Sequence, residues 1–158
     1  MRSRLRITAT CLIVLAALAA PAAAAADTTG GGSGSDFGTI AITIGPAATL
    51  KARLIVAVPI TFTCTPPVDA ISIDGTWASV DLVQASGRSV ASGSTSVVAF
   101  PCDGAPHTVS AALVATNAPF HGGTALVAVG ATVCGQLADF NTACTGVTTP
   151  WTAIKIGR

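Results

Sequence analysis

The sequence predicts an all-β domain, an antiparallel β-sandwich of about seven strands held by two disulfides. Three observations carry this. From Leu54 the chain alternates, with Leu54, Val56, Val58, Ile60, Phe62 and Cys64 apolar and Ala57, Pro59, Thr61 and Thr63 between them. Period two puts one set in a core and the other toward solvent, so Arg53 to Cys64 reads as a long half-buried central strand. The composition has no Glu and no Tyr, while Ala, Val, Thr, Ser and Gly dominate, which favours strands over helices. Of the five cysteines, four lie outside the leader, an even set suited to disulfides.

The first 26 residues read as a secretory signal peptide. Arg2, Arg4 and Arg6 form a basic start, Cys11 to Ala20 an apolar run, and an Ala-x-Ala site falls among Ala22 to Ala26. The run is too short for a membrane span. Cys11 precedes the apolar residues, unlike a lipidated cysteine. Cleavage near Asp27 leaves five basic residues against seven aspartates, a net charge of −2. With no basic patch and no second long apolar run, neither nucleic acid nor a membrane is an expected partner. The product is expected to be secreted and released to an extracellular setting.

Asp27 to Asp36 is a flexible Gly/Ser-rich linker without the Gly-Lys-Ser/Thr of a phosphate loop. The β-sandwich domain is expected over residues 37–158. Phe37 to Ile44 alternates through Ile40, Ile42 and Ile44 and stops at Gly45-Pro46. Within the central strand Pro59 lacks an amide donor, so it belongs at a bulge or where the strand meets no neighbour. Ala70 to Asp74 and Thr76 to Gln84 are strand-like, kinked at Asp74-Gly75, with Val80 and Leu82 on one face. After the turn Ala85–Arg88, Ser89 to Cys102 carries Val98, Phe100 and Cys102 in phase. Asp103-Gly104-Ala105-Pro106 reads as a hairpin loop. His107 to Ala115 returns with Val109, Ala111 and Leu113 inward, and Thr116 to Gly123 is a longer loop. Thr124 to Cys134 is an apolar strand, Gly135 to Ala143 a loop, and Trp151 to Ile156 the last strand.

Cys64, Cys102, Cys134 and Cys144 allow three pairings, and spacing alone does not choose among them. Cys64–Cys102 with Cys134–Cys144 is favoured because each would join the ends of neighbouring segments. No Cys-x-x-Cys occurs, and exported thiols oxidise, so no metal or other cofactor is expected.

The Cys64…Trp77 spacing resembles an immunoglobulin-type core, in which a tryptophan packs beside a disulfide. It implies an Ig-like sandwich, here without a tyrosine corner and stapled at strand ends. A second resemblance rests on Cys64, Cys102-Asp103-Gly104-Ala105-Pro106-His107-Thr108 and Phe120-His121-Gly122-Gly123-Thr124-Ala125. These residues are similar to a family of small secreted actinobacterial Ig-like domains, uncharacterised in function, with a Cys-Asp-Gly-x-x-His signature. That likeness covers Ile40 to Ile156 and implies fold and export. A fainter one is to the neocarzinostatin-type chromophore carriers, which are also exported two-disulfide sandwiches. It implies a small apolar ligand in an inter-sheet cleft.

No residues assemble a recognisable catalytic set. His107 and His121 are the only histidines, no Gly-x-Ser-x-Gly exists, and the aspartates sit mostly at turns. His107 is expected to hydrogen-bond within the Asp103 turn. A hydrolase would need a pocket bringing His107 or His121 within about 3 Å of a Ser or Asp side chain. What remains is a non-catalytic module contacting a protein or cell-envelope component. Its candidate binding loops are Asn117 to Gly123, with Asn117, Phe120 and His121, together with Gln136 to Asn141, with Gln136, Asp139, Phe140 and Asn141. The alternative for Phe120, Phe140 and Trp151 is that each plugs an end of the sandwich.

Overall fold

A computed structural model describes residues 37–96 and 99–158. The leader, the linker and Val98 lie outside these residues. The described chain forms nine strands: β1 (Thr39–Ile44), β2 (Ala47–Lys51), β3 (Ile55–Thr65), β4 (Ala70–Ser86), β5 (Ser89–Ser96), β6 (Pro106–Ala115), β7 (Gly123–Leu137), β8 (Thr142–Thr148) and β9 (Thr152–Gly157).

These make seven strand courses, because two are broken in the middle. Strands β1 and β2 both run antiparallel to β3, Ile44 opposite Ile60 and Thr49 opposite Ala57, with the gap at Gly45-Pro46. Strands β8 and β9 share one edge of β7 in the same way, interrupted at Thr149-Pro150-Trp151. A proline stands in each gap, where it removes a ladder donor. Pro59 lies opposite the first gap and its carbonyl accepts from Gly45 N at 2.9 Å. Since a strand residue's N–H and C=O project to one side, its missing donor also falls at the gap. In the second gap Thr149 stands in for the ladder: its N–H donates to Val129 O and its hydroxyl accepts from Val129 N.

The pairing closes a ring, β3-β2-β9-β7-β4-β5-β6 and back to β3. A ring of seven cannot alternate direction throughout, and the one parallel contact is β2 with β9, Ala47 opposite Lys155. The opposite corner closes through two residue pairs of β5 and β6, Gly93 with Ala115 and Ser94 with Val114. Both corners lie toward one end, where Ile55, Ser86, Ala115 and Gly123 gather. At the other end β1-β3-β6 and β4-β7-β8 remain two sheets. The expected sandwich is therefore corrected to a barrel that is closed at one end and two-layered at the other. Three pairs at one corner and two at the other suffice to close it.

Val56, Val58, Ile60, Phe62 and Cys64 are fully buried as the alternation predicts, together with Val80, Leu82, Val127, Val129 and Val133. Burial of each large aliphatic or aromatic side chain contributes roughly 1.5–3 kcal/mol. Leu54 is a correction. It is 55% exposed, because the chain reverses at Ala52–Leu54 before β3 begins. Trp77 is another, being 44% exposed on the outer face of β4 rather than packed beside a disulfide. At the two-layered end Phe62 stacks on Phe100 with centroids 4.5 Å apart. Phe37 crosses to Gly135, where an added Cβ would lie 2.1 Å from its ring. Phe37, Phe62 and Phe100 thus lie buried between the sheets at this end.

The disulfides pair as favoured, Cys64–Cys102 and Cys134–Cys144. Residues 99–105 are not strand, so the expected strand to Cys102 and the Asp103–Pro106 hairpin give way to a link that bonds both sheets. Phe100 N donates to Thr76 Oγ1 on β4, and Cys102 then bonds Cys64 on β3. The expected loop Gly135 to Ala143 is mostly strand: β7 runs to Leu137, β8 starts at Thr142, and only residues 138–141 turn. The kink at Asp74-Gly75 is a register shift in β4.

Candidate functional site

Three connections meet at the closed end, the turn of residues 52–54, the Gly87-Arg88 turn and the loop of residues 116–122, and Arg158 beyond β9 joins them. The loop is tied down from three sides. Phe120 N donates to Arg53 O at 2.8 Å, and its ring is 1% exposed. Gln84, 2% exposed, donates from Nε2 to His121 O at 2.9 Å and accepts His121 N on Oε1 at 3.0 Å. Asn117 donates to Ser92 Oγ at 2.9 Å. A buried amide with both ends satisfied specifies one geometry.

Over this frame opens a recess of about 500 Å³, lined by Leu50, Ala52, Arg53, Ser86, Pro119, Phe120, His121, Gly122 and Arg158. Its lining joins apolar Leu50, Pro119 and Phe120 to Arg53, Arg158 and His121. Ligand sites commonly have this size and this mixture. The His121 ring is clamped, Nδ1 facing Gly122 O at 2.9 Å and Nε2 facing Ala85 O at 3.1 Å. Both neighbours are carbonyl oxygens, so each ring nitrogen faces a protein group rather than the open recess.

The two candidate loops do not form one surface. They sit at opposite ends of β7, separated by roughly 40 Å along the strand. At the far end Gln136, Asp139 and Asn141 hold their own turn: Gln136 Nε2 donates to Phe140 O, and Asp139 accepts from Asn141 N and Nδ2. Those bonds hold the Asp139 carboxyl below its ordinary value, the Asn141 backbone N–H first and its side chain second. Phe140 is 74% exposed at the tip with φ +64°. Phe120, expected as a contact aromatic or a plug, is a plug. Trp151 is half-exposed and borders a shallower groove with Asp81 and Ser92.

His107 bonds Asp103 as expected, Nε2 lying 2.8 and 3.0 Å from the two carboxylate oxygens. The Ala105 backbone N–H, and then the His107 ring, hold Asp103 below its ordinary value. This pair meets the distance set for a hydrolase. It lies on an exposed turn, with no serine bonded to it among the described residues. Sequence reasoning missed Arg53 and Arg158. The signal was topological: with strands alternating in direction, the segments before the central strand, after Gln84, around His121 and after Ile156 fall at one end.

Among the described residues no group of three His, Cys, Asp or Glu could hold a metal, and no helix is long and apolar enough to cross a membrane. Comparison with protein-family models, curated proteins and solved structures gives no match to this chain.

Proposed function

We propose that this chain is an exported, non-catalytic binding module of Ig-like organisation, working through its closed-end mouth on a protein or cell-envelope component. Export is supported by the leader-like first 26 residues and by two disulfides, which persist in oxidising compartments. The Ig-like organisation is supported by strand order, β1-β3-β6 facing β5-β4-β7-β8, with corners zipped at one end. It also fits the likeness to small secreted actinobacterial domains. The observation that carries the function is the recess: three separate connections and the residue after β9 converge around it on a packed frame. The two histidines stand at opposite ends, each already engaged, which favours binding over catalysis.

The test is a blocking substitution. At Gly122 an added Cβ meets nothing closer than Ile156 O at 3.6 Å, so Gly122→Trp places an indole at the mouth without crowding the backbone. Depletion of the protein by isolated envelopes of the source cells should fall at least fivefold for Gly122→Trp and stay unchanged for Phe140→Ala. Equal depletion by both variants would place the working surface elsewhere.

A further inference from the structure

The described domain sorts its charge by end. Its Lys and Arg residues are Lys51, Arg53, Arg88, Lys155 and Arg158, and every one lies toward the closed end. Its aspartates are equal in number, so the domain is neutral as a whole. Asp69, Asp74, Asp103 and Asp139 gather at the two-layered end, and Asp81 sits midway along β4. Among the described residues the only ion pair is Asp103 with His107, at the acidic end, so no carboxylate side chain neutralises the cations of the mouth. A concave site lined by one sign of charge focuses the field and raises the local concentration of counter-ions.

Resting on the reading of the mouth as the working surface, we propose that it binds an organic oxyanion, a phosphate or carboxylate group on a sugar-sized body. Arg53 and Arg158 supply planar donors suited to two oxygens of such a group. His121, held by Gly122 O and Ala85 O, stands beside them in the lining. Leu50 and Pro119 give the lining apolar surface that a bare ion would leave unused. The recess, about 500 Å³, suits a body of that size rather than a single phosphate.

The test uses the full chain with its disulfides intact, at low salt, followed by amide chemical shifts. Four probes are titrated: glucose 1-phosphate, inorganic phosphate, glucose and long-chain polyphosphate. Saturable shifts at Arg53, His121, Gly122 and Arg158 with glucose 1-phosphate, and none with glucose, are expected. Arg53→Gln and Arg158→Gln should each weaken binding about tenfold, whereas Arg88→Gln, at the same end but outside the recess, should change it less than threefold. Tighter binding of polyphosphate than of glucose 1-phosphate assigns the oxyanion to a polymer, and the reverse to a free small molecule. Equal losses for Arg88→Gln and Arg53→Gln, unsaturable shifts, or salt-sensitive pairing of cationic and acidic ends between copies would overturn the proposal. If Gly122→Trp lowers envelope binding but no anion saturates the mouth, the binding module stands and the oxyanion does not.

Discussion

The two ends of the barrel are held together by different physics. At the closed end backbone ladders join the sheets at both corners, and Phe120 fills the space beneath, fixed by Gln84 and the Arg53 carbonyl. At the two-layered end no ladder joins β1 to β8 or β6 to β4. There Cys64–Cys102 ties β3 to the crossing link, Cys134–Cys144 ties β7 to β8, and Phe37 and Phe100 fill the gap. By loop-closure entropy the disulfides contribute about 4 and about 3 kcal/mol, a model-dependent figure. Where hydrogen bonds close the ring, no sulfur is needed. Where they do not, Cys64–Cys102 anchors the link that passes from β4 to β3, while Cys134–Cys144 staples two strands already joined by a ladder. The closed end is thus a rigid, water-facing platform, and rigid platforms are where loops can present a site.

The contrast is sharpest between two loop phenylalanines. Phe120→Ala should lower unfolding free energy by about 3–5 kcal/mol, because the buried ring leaves a cavity that β5 and β6 cannot collapse around. Phe140→Ala removes a ring 74% exposed and should change stability by less than about 0.5 kcal/mol. Urea unfolding of both variants measures this. Similar losses for the two would mean that the ends are not differently packed.

Much of the frame was legible in the sequence, and the exceptions have physical causes. Strands β3, β6, β7 and β9 announce themselves because aliphatics recur at period two along a filled core. Strands β2 and β8 did not, since Ala-Ala-Thr-Leu-Lys and Thr-Ala-Cys-Thr-Gly-Val-Thr carry few large side chains and owe their pairing to the edges of β3 and β7. Leu54 continues the alternation by one residue beyond the point where Ala52, at φ +61°, turns the chain. Ring closure was hidden because it rests on so few residue pairs. A loop aromatic reads the same whether it plugs or protrudes, and Phe120 is decided by a distant glycine. Arg53 and Arg158 lie too far apart in the chain for local pattern to join them, and only the direction of each strand does so.

That glycine gives the second test. At Gly93 an added Cβ would come 2.7 Å from Val114 O and 3.1 Å from the Phe120 ring. The closed corner therefore needs a residue without a side chain, for close approach of β6. Gly93→Ala should cost about 1–3 kcal/mol, as overpacking does. Its signature is local: amide exchange should quicken at Ala115 and Phe120 while the amides of β8 keep their protection. Uniform quickening through both ends would show that the corner is not a separate closure.

The smallest effect comes from acid, and it should strike the other end. Asp103 and Asp139 both titrate below the ordinary carboxylate value in the folded chain, chiefly because backbone N–H groups of Ala105 and Asn141 bond the charged form. A depressed folded value means stability that is fully present above the unfolded value, about 3.9, and is lost as pH falls through the lower one. Both groups are solvent-exposed, so the loss is modest and weakens further with salt. Acidification from pH 5 toward pH 2 should therefore speed amide exchange at Ala105 and Asn141, relative to the intrinsic rate, before it affects His121 or Phe120. If the mouth loosened first, the ends would not differ in the groups that hold them.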